Sequence, residues 1–393
     1  MRNFARARAL ISLVTTAFFP SLRTRVRLTF LLVLALALMP ATSAQGTTQS
    51  LKKGMWGPAM RHGQSLFPIY RDLGVGLYQD SLRWDLVATR RPARPTDPTD
   101  PAYQWPAELD WAVREAGRNH MRVSLQVTQT PRWANGGRPR NWVPTHVADY
   151  AAFVQAASRH YPSVHLWMIW GEPTRHANFA PEQAETRRGA PLTRRQAQAP
   201  HRYAQILDAA YSGLKRANRR NLVIGGNSFL AGDITPLNWI KNLRLPNGKA
   251  PRMDMYGHNP FGDRKPDLRK RPSSDPQRAG FADFSDLDTL AGWLDRYQRP
   301  RQPGHPRLKL FLSEYTIPTD HSDFEFNFWV DRGTQADWIK AAFSITRHTP
   351  RIYTTSWIQL FDDDPSPSHD ERNHGLLDYR GNPKPGYRAF RRG

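Results

Sequence analysis

Leu166-Trp167-Met168-Ile169-Trp170-Gly171-Glu172-Pro173-Thr174 is an apolar run that stops at a carboxylate held by a following proline. A second run, Leu308-Lys309-Leu310-Phe311-Leu312-Ser313-Glu314-Tyr315, also stops at a glutamate. Each has the length and the β-branched or aromatic content of a buried strand. A strand that ends in glutamate delivers that carboxylate to the rim of a sheet. Two such rims, one carboxyl each, point to acid and base chemistry.

Working outward, Gly54 to Gly57 reads as a first strand, Val75 to Ser81 as a second and Arg122 to Thr128 as a third. Asn221 to Asn227, Met253 to Pro260 and Tyr353 to Phe361 supply the fifth, sixth and eighth. Helical spacing fills the intervals at Ser65 to Leu73, Glu108 to Asn119, Val147 to Tyr161, Tyr203 to Ala217, Leu287 to Tyr297 and Asp337 to Thr346. Alternating strands and helices predict a parallel sheet of the α/β class, and eight units predict closure into a (β/α)8 TIM barrel with long βα loops over residues 45–393. An open doubly wound sheet with an added lobe is the alternative.

Several of these segments match a known family. Trp-Met-Ile-Trp-Gly-Glu-Pro at 167–173 resembles the Trp-x-x-Trp-Asn-Glu-Pro motif of strand four in the clan A glycoside hydrolases, and Phe-Leu-Ser-Glu-Tyr at 311–315 resembles their strand-seven nucleophile motif. Trp357 to Phe361 and His374 to Tyr387 resemble the closing segment of those enzymes, particularly families 39 and 5. The resemblance covers nearly all of residues 45–393 and decides for the barrel. It implies a retaining glycosidase that hydrolyses O-glycosyl bonds of a poly- or oligosaccharide, with Glu172 as acid/base and Glu314 as nucleophile. Two glutamates suffice for that chemistry, so no metal or cofactor is expected, and the carboxyl groups should lie about 5–5.5 Å apart. Glu172 then needs a raised pKa, while Glu314 stays ionised.

The remaining candidates line the expected cleft. Arg83 and Trp84 follow the second strand, where an indole face stacks on a sugar and an arginine reaches hydroxyls or a carboxylate; packing under the loop is the other reading of Trp84. Trp133 lies in a Pro-x-Trp-Ala turn similar to that after strand three of the same enzymes. By the same resemblance His258 approaches the nucleophile and Trp357 faces inward from strand eight. Tyr315, His258 or an arginine is a candidate to hold Glu314 charged. The motif asparagine, which in those enzymes binds the sugar 2-hydroxyl, is Gly171 here. Asn227, Asn259 or another neighbour takes over, or the substrate differs at that position, or activity is lost. A non-catalytic carbohydrate-binding barrel of the cell envelope is therefore the competing function, with a basic envelope scaffold behind it.

Residues 1–44 read as a secretory signal peptide: six arginines precede the apolar run Leu28 to Met39, and Thr42-Ser43-Ala44 offers small residues for cleavage. An uncleaved anchor is the alternative, although the run is short for a span of roughly 20 residues. A secreted, extracellular or envelope location follows, with no stable membrane span after cleavage. The 393 residues contain no cysteine, so export does not rest on disulfides. The formal charge is +22, and removing the six arginines leaves +16. That excess favours an anionic glycan or surface, the alternative being plain solubility. Zinc-finger spacing, phosphate loops and RNA-binding signatures do not occur, so no nucleic-acid partner is expected. The acidic cluster Asp362-Asp363-Asp364, with Asp370 and Glu371, lacks EF-hand spacing and is read as a solvated or arginine-paired loop.

Overall fold

A computed structural model describes residues 48–298, 306–365 and 371–393. Eight parallel strands close on themselves: β1 (Ser50–Trp56), β2 (Val75–Arg83), β3 (Arg122–Thr128), β4 (Leu166–Ile169), β5 (Leu222–Phe229), β6 (Met255–Asn259), β7 (Lys309–Tyr315) and β8 (Ile352–Ile358). Each pairs with its sequence neighbours, and β1 closes the ring by pairing with both β2 and β8. This is the expected (β/α)8 barrel. The signal-peptide reading of residues 1–44 lies outside the described residues, as does Asp370.

The two faces of each strand have separate tasks. Leu77, Leu166, Met168, Ile224, Met255 and Phe311 meet inside the barrel and plug its floor. The alternate residues, such as Val123, Leu125 and Val127 on β3, pack outward into the layer shared with the helices. Toward the carboxyl ends the inward positions turn polar, with Gln79, Gln126, Thr128, Asn259 and Ser313 all buried. Buried polar groups need partners or a ligand, so this end of the barrel is where chemistry is placed.

Helices α1 (Phe67–Asp72), α2 (Ala107–Arg118), α3 (Val147–His160), α4 (Gln198–Ala217), α5 (Pro236–Asn242), α6 (Leu287–Tyr297), α7 (Arg332–His348) and α8 (Pro385–Arg392) surround the strands. α4 buries Tyr203, Ile206, Leu207, Ala210 and Leu214, one face of a 3.6-residue period. Two buried tyrosines reach from this layer to strand ends. Tyr150 on α3 donates to Val127 O, and Tyr203 donates to Ile169 O at 2.6 Å while accepting from Gly226 N. They satisfy backbone groups that a ladder leaves open where strands stop.

Strand β4 is shorter than its apolar run implies. It ends at Ile169, and Trp170 (φ +69°) and Glu172 (φ +41°) occupy the left-handed region. A bulky residue there costs about 1–3 kcal/mol, a cost typical of functional sites. The turn lifts Glu172 out of the strand direction and aims it across the barrel mouth. β7 reaches the same end differently: Leu312 pairs with Thr355 but Tyr315 with Trp357, so three steps on β7 span two on β8. A bulge of this kind re-aims side chains. Consecutive Ser313 and Glu314 both contact Asn259 as a result.

Candidate active site

Asn259, the last residue of β6, joins the two glutamates. Its Nδ2 donates to Glu172 Oε1 at 2.8 Å and its Oδ1 accepts from the Ser313 hydroxyl. The same amide opposes the rise of the Glu314 pKa. Glu172 Oε2 accepts from Arg175 at 3.0 Å and from Asn178 at 3.3 Å. Asn178 is itself placed by its carbonyl, which accepts the Trp170 indole N–H. The loop after β4 thus folds back onto the carboxylate that begins it.

Burial raises the pKa of Glu172, and Arg175 and Asn259 oppose the rise. Glu314 is pushed well above the carboxylate range by burial, then by the charge of Glu172 and that of Glu325. Two neighbouring carboxylates cannot both ionise easily. Glu172 has three donors, from Arg175, Asn178 and Asn259. The rise at Glu172 is the direction expected of an acid, whereas the rise at Glu314 runs against the ionised state expected of a nucleophile.

The other expected residues divide sharply. Arg83 stands at the mouth, but its guanidinium grips Asp85 through two bonds of 3.0 and 2.6 Å. Trp84 is not a stacking surface: it is 1 % exposed, stacked on Phe153 and edge-on to Trp133 and Tyr150. It faces the helix layer because it follows inward-facing Arg83 by one residue. Trp133 donates its indole N–H to Ala88 O and lies under the Arg91 guanidinium, 4.5 Å from the ring centroid, so it props the loop after β2.

His258 also points away from the site, since it precedes inward-facing Asn259. It donates from Nε2 to Ala282 O and accepts from the Ser228 hydroxyl, both at 2.8 Å. Tyr315 packs against Phe284 and Trp357 and makes no bond to Glu314 among the described residues. Trp357 is fully buried, its N–H shared by Gln359 O and His374 O. Asn227 is a brace rather than a ligand, donating to Trp170 O and facing the Ser313 hydroxyl. None of these four presents a free face to a sugar.

Burial lowers the His258 pKa to about 4, against an ordinary 6.5. The unfolded chain therefore takes up a proton near pH 6.5 that the folded chain refuses until near pH 4. Stability contributed by neutral His258 is complete above pH 6.5 and falls by up to about 3 kcal/mol as pH drops through that window. Urea midpoints for wild type and His258→Gln between pH 7 and 4 check this. The wild type should show the steeper acid loss, and equal slopes would contradict it.

The sequence reading missed Gln126, Arg175, Asn178 and Ser313, and named Asn259 only as a stand-in for the motif asparagine. Gln126 is the most informative. A Cβ on Gly171 would lie 2.6 Å from Gln126 Oε1 and 2.9 Å from its Cδ and Nε2. The amide from β3 occupies the space that glycine vacates on β4. Beside the site, Phe229, Phe281, Phe326, Phe328 and Glu325 line a cavity of about 260 Å³. The loop from Thr319 to Asp331 is therefore part lining: Phe326 is buried against Phe261 and His374, whereas Phe324 and Trp329 are exposed.

The acidic loop is paired, Asp363 with Arg372 and Asp362 with buried Lys384. Among the described residues no group of three or more His, Cys, Asp or Glu side chains is arranged to hold a metal, and no helix is long and apolar enough to cross a membrane.

No family model and no characterised protein sequence matches the chain. Solved structures do. A family 39 glycoside hydrolase from the gut symbiont Bacteroides cellulosilyticus WH2 superposes with a TM-score of 0.61 at 16% identity over 87% of this chain. A glucosidase from Croceicoccus marinus gives 0.58 at 17% identity over 88%, and a monomeric β-xylosidase from Caulobacter crescentus CB15 gives 0.57 at 14% over 88%. This chain spans 63% of the first protein's length, 67% of the second's and 68% of the third's. The fold is a (β/α)8 barrel of the kind these family 39 glycoside hydrolases have.

Proposed function

We propose that the protein is a retaining glycoside hydrolase with Glu172 as acid/base and Glu314 as nucleophile. The observation that carries the reading is the pairing of Glu172 and Glu314 around Asn259: the amide donates to Glu172, and both Glu172 and Asn259 act on the Glu314 charge. Cleaving a glycosidic bond needs a proton for the leaving oxygen and a carboxylate for the cation-like carbon. In the first step Glu172 protonates the leaving oxygen while Glu314 bonds to the anomeric carbon. In the second, Glu172 removes a proton from water, which displaces Glu314.

Glu314 must be ionised and Glu172 protonated before the first step. A substrate oxygen approaching Glu172 competes with Arg175 for Oε2, and positive charge developing at the anomeric carbon favours ionised Glu314. Arg175 is the movable partner: its side chain is 39 % exposed and lies over the Phe229 ring. An anionic glycan draws Arg175 away more readily than a neutral one. That preference and the net positive charge support an exported protein acting on an anionic or envelope polysaccharide.

Arg175 lowers the Glu172 pKa, so Arg175→Gln should move the basic limb of the pH profile of kcat/KM to higher pH. A limb that stays or moves down would detach Arg175 from the acid. The reading as a whole is tested by sugar release from a panel of neutral and uronate-containing glycans. Release above background supports it. Binding without release favours the carbohydrate-binding barrel instead.

A further inference from the structure

We propose that Gln126 is the residue that grips the hydroxyl next to the reacting carbon of the sugar, taking over from the side chain that Gly171 lacks. The inference rests on the hydrolase reading. Its starting point is steric, since the Gln126 amide fills the volume a side chain at 171 would need. Gln126 pairs in register with Met168 on the adjacent strand, and its one recorded bond is a weak one from Nε2 to Met168 Sδ at 3.4 Å. The carbonyl oxygen Oε1 has no partner among the described residues. The residue is 7 % exposed, and that oxygen is left for a ligand at the barrel mouth to complete.

Position selects the ligand atom. The 2-hydroxyl is attached one bond from the carbon that Glu314 attacks, so whatever holds it must flank the carboxyl pair. Asn259 and Asn178 are committed to the carboxyls, and Asn227 is committed to Trp170 O and Ser313. Gln79 also has a free amide oxygen, but its amide nitrogen is tied to Ser313 O on β7; Gln126 is the one whose amide lies over the residue preceding Glu172. An acceptor suits the task. As positive charge grows on the ring the 2-hydroxyl becomes a stronger donor, so a carbonyl facing it binds the transition state more tightly than the ground state.

The test is a cycle between protein and substrate. Wild type, Gln126→Ala and Gln126→Ala/Gly171→Asn are compared on whichever 4-nitrophenyl xyloside, glucoside, galactoside or glucuronide the wild type cleaves fastest, and on its 2-deoxy counterpart. Gln126→Ala should lower kcat/KM about a hundredfold on the hydroxylated substrate, mostly in kcat, and less than threefold on the 2-deoxy one. Asn at 171 in the double variant, reaching into the space Gln126 vacates, should recover at least tenfold. Equal losses on both substrates, or no loss on either, would overturn the inference and leave the hydrolase reading standing. If the wild type cleaves none of these glycosides, binding of the same sugars is measured by calorimetry. Weaker binding of Gln126→Ala than of wild type, seen with the hydroxylated sugar alone, then keeps the contact while the hydrolase reading fails; unchanged binding overturns the contact as well.

Discussion

Glu314→Ala should reduce turnover on the order of 10⁴- to 10⁶-fold, the scale seen when a covalent nucleophile is removed. The β7 bulge turns Ser313 and Glu314 toward Asn259 and the barrel mouth. Alanine leaves the anomeric carbon without an attacking group. The pH dependence of stability should change too. Both carboxyls are held above their ordinary range, so the folded chain loses stability as pH rises through that range; removing Glu314 also relieves Glu172, so the variant should lose less stability between acid and neutral pH. Release curves and urea midpoints for the two proteins separate these effects. A fold intact by circular dichroism with turnover undiminished would remove Glu314 from the mechanism.

Lys384→Met should cost about 3–5 kcal/mol of stability, the penalty for leaving a buried charge without its partner. Lys384 is 2 % exposed at the start of α8, and its ammonium contacts both oxygens of Asp362, Thr319 Oγ1 and Asn373 O. Burial raises the Asp362 pKa and lowers that of Lys384, so desolvation outweighs the attraction for each partner. The pair therefore adds no net stability as a unit, yet it is costly to break. Accordingly Asp362→Leu/Lys384→Met should regain most of the loss. If the single variant unfolds at the wild-type urea midpoint, the clamp carries no such weight.

The sequence made the barrel and both glutamates legible because each depends on local pattern. Arg122 to Thr128 reads as a strand from its alternation alone, and β3 spans those residues. What it hid was orientation. His258 and Asn259 are neighbours, yet one faces the helices and the other the site, and residue type favoured the histidine. In the sequence Trp84 reads as a sugar platform or as packing under its loop, Trp357 as facing inward and Tyr315 as a partner of Glu314. In this fold they are core, and aromatic side chains bury more area than any others.

Gln126 was hidden for another reason. The alternation of Ser124, Gln126 and Thr128 on one face of β3 was visible, but its meaning depends on the register that sets Gln126 beside Met168. Only a paired neighbour reveals that the amide fills the gap at Gly171. Arg175 was likewise unreadable, because its contact with Glu172 depends on the left-handed turn at 170–172.

The measurement that tests the central claim most directly is trapping of the covalent intermediate. Incubation with a 2-deoxy-2-fluoro glycosyl fluoride of the sugar released best, followed by digestion and mass spectrometry, locates the attached sugar. The account predicts one sugar equivalent per chain, on the peptide containing Glu314, with retention of anomeric configuration in the normal reaction. An adduct on Glu172, or an inverted product, would contradict it.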